Sequence, residues 1–307
     1  SEVDKYDFHS RTLSVGYLPP RDPVGDSPVF ADSFGNLWIG RWNALEKHDF
    51  RNSTPQQIFT RPDWRVNVFL EDPYQNLWIG STMGLLRYNL LSGKLDLFQN
   101  DSSDNESVSG NLIFSLRSDQ EGNLWIGTDA GLNKVIKGTE RGNPRFARWQ
   151  SATSGLPNDN VTGIVDGADG SLWLACGNRI SHFDPRRNQF RNYDHADGLD
   201  GLQGTTFRIN NRGVFGLRTS DGKIAFSTYC KGVVIVHPDS LIDNDYVPPV
   251  VITDFLIHDR PVSLVKSEGD TLEWGSPLTK HVSYTRKVEL TFNQNAFALE
   301  FAALNFV

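Results

Sequence analysis

Apolar and polar residues alternate along this chain in short runs, which are separated by clusters of Asp, Gly, Asn and Ser. Runs of this kind begin at Val66, Ile113 and Val161, where apolar residues recur on one face of an extended segment. Alternation with a period of two residues predicts β-strands, and the polar clusters between the runs predict tight turns. The chain is therefore predicted to be all-β.

The turn after each run and the strand that follows it form a signature that recurs along the chain. Residues 32–40 read Asp-Ser-Phe-Gly-Asn-Leu-Trp-Ile-Gly, and residues 72–80 and 119–127 repeat this pattern. Residues 169–174 are a weaker copy and residues 221–226 a divergent one. The tryptophan positions 38, 78, 125 and 173, with alanine at 225, lie 40, 47, 48 and 52 residues apart. Such spacing suits four short strands per repeat, as in the blades of a β-propeller.

Each repeat is predicted to hold four strands, of which the run before the turn is the first and innermost. In the second repeat, the signature strand is followed by a third strand at residues 86–88 and a fourth at residues 95–98. The N-terminal residues 5–8 and 13–15 match the third and fourth strands, whereas the fifth repeat ends after residues 232–236 without a clear fourth strand. The chain is thus either a closed five-bladed ring, in which an N-terminal strand completes the last blade, or part of a larger ring.

The composition of the chain changes after residue 250. Residues 250–257, 288–292 and 297–301 are rich in apolar residues and predict three further strands. These strands suit the opening of a β-sandwich, and the sequence stops before a sandwich is complete. We therefore predict propeller repeats over residues 1–246 and the start of a β-sandwich domain, expected to be truncated, over residues 247–307.

Composition and charge exclude several classes of function. The 307 residues carry 30 Lys and Arg against 37 Asp and Glu, a net charge of −7, without the basic cluster that nucleic-acid binding requires. No apolar N-terminal run predicts a signal peptide, and no stretch approaches a membrane span, so membrane attachment is expected only through segments absent from this chain. Cys176 and Cys230 form no metal pattern. They are either one disulfide in an oxidising compartment or, as we favour, two small buried residues on strands.

Several copies of Asp-x-x-Gly-Asn-Leu-Trp-Ile-Gly-Thr-x-x-Gly-Leu in order resemble the two-component regulator propeller repeat. Residues 246–255 and 295–301 resemble the start of the Ig-like domain that follows such propellers, and residues 194–199 resemble the family's last blade. The resemblance implies the periplasmic ectodomain of an inner-membrane histidine kinase of the hybrid two-component type, or of a diguanylate cyclase. It also implies an oligosaccharide ligand and a homodimer in the intact receptor. The family typically carries two seven-bladed propellers, so with about five repeats this chain leaves open whether the ligand site lies within it.

The sequence shows no catalytic machinery. Glycoside hydrolysis needs paired carboxylates that converge on a sugar, whereas Asp32, Asp72 and Asp119 occupy equivalent turns on different blades and are predicted to stabilise those turns. The histidines show no metal-ligand spacing, and neither a serine nucleophile elbow nor a glycine-rich phosphate loop is present. We therefore predict that this part of the protein is not an enzyme and uses no cofactor or metal.

A ligand site is expected on the loops that enter the innermost strands and on those that follow the tryptophan strand, because these loops crowd one end of a propeller. Tryptophan offers a ring for stacking, arginine a fork for carboxylate or sulfate, and asparagine an amide for hydroxyl groups. The alternative is that Trp42 and Trp64 pack between blades and that the asparagines cap turns. The candidate ligand-binding residues are Arg41, Trp42, Asn43, Trp64, Arg65, Asn111, Asn160, Arg208 and Tyr229.

Three functions follow from these observations. The leading prediction is a ligand sensor in which a glycan-derived oligosaccharide binds the propeller and biases a downstream kinase or cyclase across the membrane. A propeller hydrolase or lyase that acts on glycans is the second. A scaffold that uses the propeller only for protein contacts is the third.

Overall fold

The computed structural model describes residues 3–7, 12–18, 28–49, 55–137, 144–197, 199, 216–228, 232–241, 250–262, 277–278 and 280–303 of the chain. The chain divides into two compact units, residues 1–241 and residues 242–307. Apart from one α-helix, α1 (Ser151–Ser154), and several single-turn 3-10 helices, the regular structure of these residues is β. The predicted all-β class is confirmed.

Unit 1 consists of antiparallel sheets whose strands follow one another in chain order. A hairpin comes first, β1 (Val3–Asp7) and β2 (Thr12–Leu18). Four four-stranded blades and one three-stranded blade follow it. Blade 1 is β3 (Val29–Ala31), β4 (Leu37–Arg41), β5 (Ala44–His48) and β6 (Gln56–Thr60). Blade 2 is β7 (Val66–Glu71), β8 (Asn76–Ser81), β9 (Gly84–Asn89) and β10 (Leu95–Phe98).

The later blades repeat this plan. Blade 3 is β11 (Ile113–Ser118), β12 (Leu124–Thr128), β13 (Gly131–Lys137) and β14 (Arg145–Trp149). Blade 4 is β15 (Val161–Asp166), β16 (Leu172–Cys176), β17 (Arg179–Asp184) and β18 (Gln189–Tyr193). Blade 5 is β19 (Gly216–Arg218), β20 (Ile224–Thr228) and β21 (Gly232–Val236).

The first strands of successive blades contact one another, as predicted for the innermost strands of a propeller. β7 contacts β11, β11 contacts β15, and β15 contacts β19. The predicted plan of one signature turn and four strands per repeat is therefore observed, and the β-propeller architecture is confirmed. Within the described strands, β1 and β2 pair only with each other and β21 ends its sheet, so these strands show no hydrogen-bonded closure of a ring.

The core of unit 1 lies between blades, where each signature tryptophan is a wedge. Trp78 is fully buried and packs in a cluster with Leu124 and Ile126 of blade 3. Trp38 occupies the same place against blade 2, and Trp125 the same place against blade 4. A buried aromatic side chain brings a large apolar surface to one contact, so a blade is held mainly by its neighbour. The indoles therefore pack in the core, as the sequence predicted.

Unit 2 contains a three-stranded antiparallel sheet with the order β23-β22-β24, formed by β22 (Val250–Ile257), β23 (Arg260–Pro261) and β24 (Phe297–Ala303). The strands predicted at residues 250–257 and 297–301 are present. The prediction of a strand over residues 288–292 is wrong. Thr291 caps a 3-10 turn, and its side chain and that of Gln294 bond to each other's backbone in a capping box. The predicted domain boundary, between residues 246 and 247, lies outside the described residues and stays a prediction.

Candidate functional site

The aspartate of the signature turn is fully engaged by its own repeat. In blade 3, Asp119 Oδ1 accepts the backbone N–H of Glu121 at 3.0 Å and that of Asn123 at 2.8 Å. Its Oδ2 accepts the indole N–H of Trp125 at 2.7 Å and the Asn123 amide at 2.9 Å. Burial opposes the charge of Asp119, but these hydrogen bonds outweigh it and hold the pKa of the carboxyl below its ordinary value. The carboxylate thus connects the turn to the core wedge.

The same network recurs in blades 1 and 2. Asp32 accepts the indole N–H of Trp38 at 2.8 Å, and Asp72 accepts that of Trp78 at 2.7 Å. Each aspartate sits in the turn of its own blade, so the carboxylates do not form a pair that converges on one substrate. The predicted turn-stabilising role accounts for all three.

Replacing Asp119 by alanine is expected to lower the free energy of unfolding by about 1–3 kcal/mol, because it leaves the buried Trp125 indole N–H without an acceptor. Urea unfolding at neutral pH measures the change. Glu121→Ala is the matched control, since Glu121 lies in the same turn but its exposed carboxylate makes only long contacts within the described residues, to exposed Arg186 at 3.3 Å and to the Asn123 amide at 3.4 Å. It is expected to shift stability by no more than about 0.5 kcal/mol. Equal effects in both variants would contradict the assigned role of Asp119.

The loops expected to carry a ligand site meet at the opposite ends of the first strands. Before β7, the Trp64 carbonyl accepts the backbone N–H of Asn43 at 2.9 Å, which joins a loop of blade 1 to the entrance of blade 2. The Arg65 carbonyl accepts the N–H of Thr82 at 3.0 Å. These bonds bring four of the predicted residues together, which we call the Trp42 cluster: Trp42, Asn43, Trp64 and Arg65.

Trp42 and Arg65 form the exposed part of this cluster. The Arg65 guanidinium carbon lies 4.0 Å from the centre of the Trp42 ring, within the range of a cation–π contact. Trp42 is 40% exposed, in contrast with the fully buried signature tryptophans. Thr82, which the sequence analysis did not single out, fixes Arg65 because its hydroxyl accepts the Arg65 backbone N–H at 3.1 Å. Thr82 follows the second strand of blade 2 at the position that Trp42 occupies in blade 1, and this equivalence could have identified it from the sequence.

Trp64 and Asn43 form the buried part of the cluster. Trp64 is 1% exposed and its ring meets Phe59 edge-on at 4.9 Å, so it packs in the core, as the alternative interpretation of the sequence held. Asn43 takes a left-handed backbone conformation with φ of 64°. Among the described residues, neither the Trp64 indole N–H nor the Asn43 side-chain oxygen has a hydrogen-bond partner. An unsatisfied donor and an unsatisfied acceptor are thus buried next to the exposed Trp42 loop.

Arg41 is held inside blade 1, unlike its exposed neighbour Trp42. Its side chain is buried, and its Nε donates to Glu46 Oε2 at 2.9 Å. His48 Nε2 lies 3.2 Å from the same oxygen. Because the guanidinium is held inside blade 1 by this carboxylate, it does not face the surface that Trp42 and Arg65 share.

Asn111 and Asn160 are not part of the Trp42 cluster. Asn111 accepts the backbone N–H of Asn100 at 2.7 Å, in the loop before β11. Asn160 donates its backbone N–H to the Asn158 side chain at 2.8 Å, in the loop before β15. Both asparagines therefore structure loops of later blades. Arg208 and Tyr229 lie outside the described residues.

The described part of the chain contains no group of three or more His, Cys, Asp or Glu side chains placed to hold a metal ion. Cys176 is a free, buried cysteine at the end of β16, and burial raises the pKa of its thiol far above the ordinary value. Cys230 lies outside the described residues. No helix in those residues is long and apolar enough to cross a membrane.

Residues 107–130, which include β11, the signature turn and β12 of blade 3, match the family described as two component regulator propeller. The resemblance inferred from the repeats is thereby confirmed. The chain is 25% identical to histidine kinase P4 of Formosa agariphila over 98% of its own length. It spans 22% of that relative, about a fifth of its length.

Two solved structures are also similar to this chain. The extracellular domain of a hybrid two-component system from B. thetaiotaomicron is 22% identical, with a TM-score of 0.38, over 90% of this chain and 40% of that one. Virginiamycin B lyase from Staphylococcus aureus is 13% identical, with a TM-score of 0.48, over 76% of each chain. Both likenesses are partial, since each TM-score is below 0.5.

Proposed function

We propose, from the premise that this chain carries the two-component regulator propeller repeat, that it belongs to the ligand-sensing part of a membrane-anchored sensor and recognises a glycan-derived oligosaccharide. In this proposal the chain lies outside the cytoplasm, in the periplasm, and the intact receptor is a homodimer. Ligand binding shifts the balance between two arrangements of the receptor and so biases a cytoplasmic histidine kinase.

The similarity to a histidine kinase supports the sensor role. It extends over almost the whole chain, yet the chain spans 22% of that relative. The kinase output, the membrane anchor and the dimer contacts therefore belong to the proposal and would reside in the rest of such a protein. A diguanylate cyclase output stays the alternative to the kinase.

The observation that carries the ligand class is the stacked pair of Trp42 and Arg65. The face of an indole stacks on the apolar face of a sugar ring, and a guanidinium donates to hydroxyl, carboxylate or sulfate oxygens. Stacking on Trp42 holds the Arg65 guanidinium in a fixed plane, so less side-chain freedom is lost when a ligand binds. The unpartnered Trp64 N–H and Asn43 oxygen are buried, so the proposed binding surface consists of Trp42 and Arg65.

The same residues weigh differently on the two rival functions. A hydrolase needs convergent carboxylates, and the repeated aspartates are engaged in the turns of separate blades. Exposed tryptophan and arginine are also enriched at protein interfaces, so the scaffold stays the alternative that the ligand screen tests.

Ligand recognition is tested by a thermal-shift screen of this chain against neutral, uronic-acid-containing and sulfated oligosaccharides. At a hundredfold excess over Kd, a ligand is expected to add about 2.7 kcal/mol to the stability, a shift of several degrees in Tm. Trp42→Ala is expected to weaken the affinity for any hit at least about tenfold, or about 1.4 kcal/mol, through loss of the stacking surface. Isothermal titration measures this change.

Tyr74→Ala is the matched control, because Tyr74 is a half-exposed aromatic in the signature turn of blade 2, away from the Trp42 loop. It is expected to leave the affinity unchanged. A hit that binds Trp42→Ala as tightly as the original protein would remove the Trp42 cluster as the site. A screen without any hit would remove sugar sensing by this chain and favour the scaffold.

A further inference from the structure

Arg117 breaks the pattern of the inner strands. In every blade, the next-to-last residue of the first strand stands opposite the signature tryptophan position. This residue is Phe30, Leu70, Val165 and Leu217 in blades 1, 2, 4 and 5, but Arg117 in blade 3. Leu70 and Val165 pack toward the core of the following blade. Blade 3 therefore places a guanidinium where the other repeats place an apolar group.

The guanidinium of Arg117 is only partly satisfied. It donates through Nη2 to Asp166, the last residue of β15 in blade 4. Its Nε is buried and, among the described residues, has no hydrogen-bond partner. Buried polar groups are nearly always paired in folded proteins, so an unpaired N–H of a charged group calls for an acceptor.

A second arginine lies on the strand next to the one that carries Asp166. Arg218 is the last residue of β19, the first strand of blade 5, and β19 contacts the β15 strand that carries Asp166. Burial lowers the pKa of Arg117, and the positive charge of Arg218 lowers it further. Within the described part of the chain, Arg218 makes no ion pair. Among the described residues, the adjoining ends of these strands thus carry one carboxylate and two guanidinium groups.

An ion pair that only held two blades together would need one cation and one anion. Here the described groups are two guanidiniums and one carboxylate, in a protein whose net charge is −7. A guanidinium presents several N–H donors in a planar fork that matches the oxygens of a carboxylate, sulfate or phosphate. The missing acceptor and the second guanidinium both indicate that a negatively charged group with oxygen acceptors would bind here.

We propose that Arg117 and Arg218 form an oxyanion-binding site at the ends of the first strands of blades 3 and 5. The group bound is a carboxylate, sulfate or phosphate, as a free ion or as part of a larger ligand. The site is separate from the Trp42 cluster. Arg65 lies just before its strand begins, whereas Arg117 and Arg218 lie where their strands end. The proposal therefore does not depend on sugar recognition at Trp42.

The test is a thermal-shift titration of the whole chain with sodium sulfate, with sodium chloride added to keep the ionic strength constant, since screening changes with salt. The original protein is expected to show a saturable rise in Tm on top of the gradual, non-saturating stabilisation that sulfate gives to most proteins. A parallel titration with sodium glucuronate offers a carboxylate on a sugar ring. Saturation by glucuronate alone would point to a carboxylate on a sugar ring, and saturation by sulfate to a tetrahedral anion, free or attached to a larger ligand.

Two variants remove one guanidinium each. Arg117→Leu restores the residue type found in blades 2 and 5, and Arg218→Gln changes an exposed side chain at a strand end. Either is expected to raise the half-saturating anion concentration at least about tenfold, because hydrogen bonds to charged groups are strong. The control Arg186→Gln removes a guanidinium that is paired with Glu121 in the same region and is expected to change nothing.

Several results would overturn the proposal. One is the absence of a saturable rise with either anion in the original protein. Another is a saturable rise of the same size and midpoint in Arg218→Gln, which keeps the inter-blade ion pair intact. Should Arg117→Leu fail to fold, Arg218→Gln decides the outcome alone. An equal loss in Arg186→Gln would mean that general positive charge, and not this pair, attracts the anion.

Discussion

Replacing Trp78 by alanine is expected to lower the free energy of unfolding by roughly 3–5 kcal/mol. The indole is fully buried between blades 2 and 3, where it packs with Ile113 and Leu124. Its N–H donates to Asp72 at 2.7 Å, so the substitution also removes the bond that connects the core to the signature turn. The surrounding strands of both blades are hydrogen-bonded in fixed sheets and cannot collapse fully onto the cavity.

Urea unfolding followed by fluorescence and by circular dichroism measures this effect. Trp42→Ala is the matched control, because Trp42 is 40% exposed and contacts Arg65 at the surface. Its loss is expected to cost no more than about 1 kcal/mol, the size of an exposed cation–π contact. Together, the two variants compare a tryptophan buried between blades with one exposed at the surface. Similar costs for both would mean that Trp78 is not an inter-blade wedge.

Gly127→Ala is expected to destabilise the protein by about 1–3 kcal/mol, or more if the strand cannot move. A Cβ atom at position 127 would lie 2.3 Å from the backbone oxygen of Val161 in the next blade and 2.4 Å from Ser115 Oγ. A backbone oxygen cannot turn away as a side chain does, so β15 would have to shift away from β12. Thermal and urea unfolding measure the loss.

Gly122→Asn is the control for this substitution. Gly122 has φ of +80° in the turn of the same blade, with no atom near the place of its Cβ. The equivalent position in blade 2 holds Gln75 with φ of 61°, so this turn accepts a side chain. Asparagine tolerates the left-handed conformation, and the expected cost is at most about 1 kcal/mol. A larger loss for Gly122→Asn than for Gly127→Ala would show that backbone conformation, and not the spacing between blades, is the stronger constraint on the glycines of blade 3.

At the candidate site, the sequence predicted which loops lie together but not which of their side chains are exposed. The repeat spacing predicted which loops share one end of the propeller, and Trp42 and Arg65 do meet there. The sequence could not distinguish Trp42 from Trp64, since both lie in such loops next to an arginine. The difference arises because Trp64 enters the space between blades 1 and 2 beside Phe59, whereas Trp42 lies outside it.

Arg41 and residues 288–292 are the positions where local interpretation failed to anticipate the structure. Arg41 pairs with Glu46 across a hairpin, a contact fixed by the register between β4 and β5. At residues 288–292 the apolar alternation resembles a strand, but Thr291 and Gln294 offer side-chain bonds that favour a 3-10 turn.

The sequence by itself determined the repeat, the strand order within each blade and the role of the signature turn. All three are local properties, because period-two alternation, turn residues and the spacing of Asp and Trp act within one repeat. The tertiary structure alone decided which side chains are buried between blades, why Gly127 must lack a side chain and that Arg117 meets Asp166. These are contacts between residues of different blades, and their distances depend on how each sheet packs against the next.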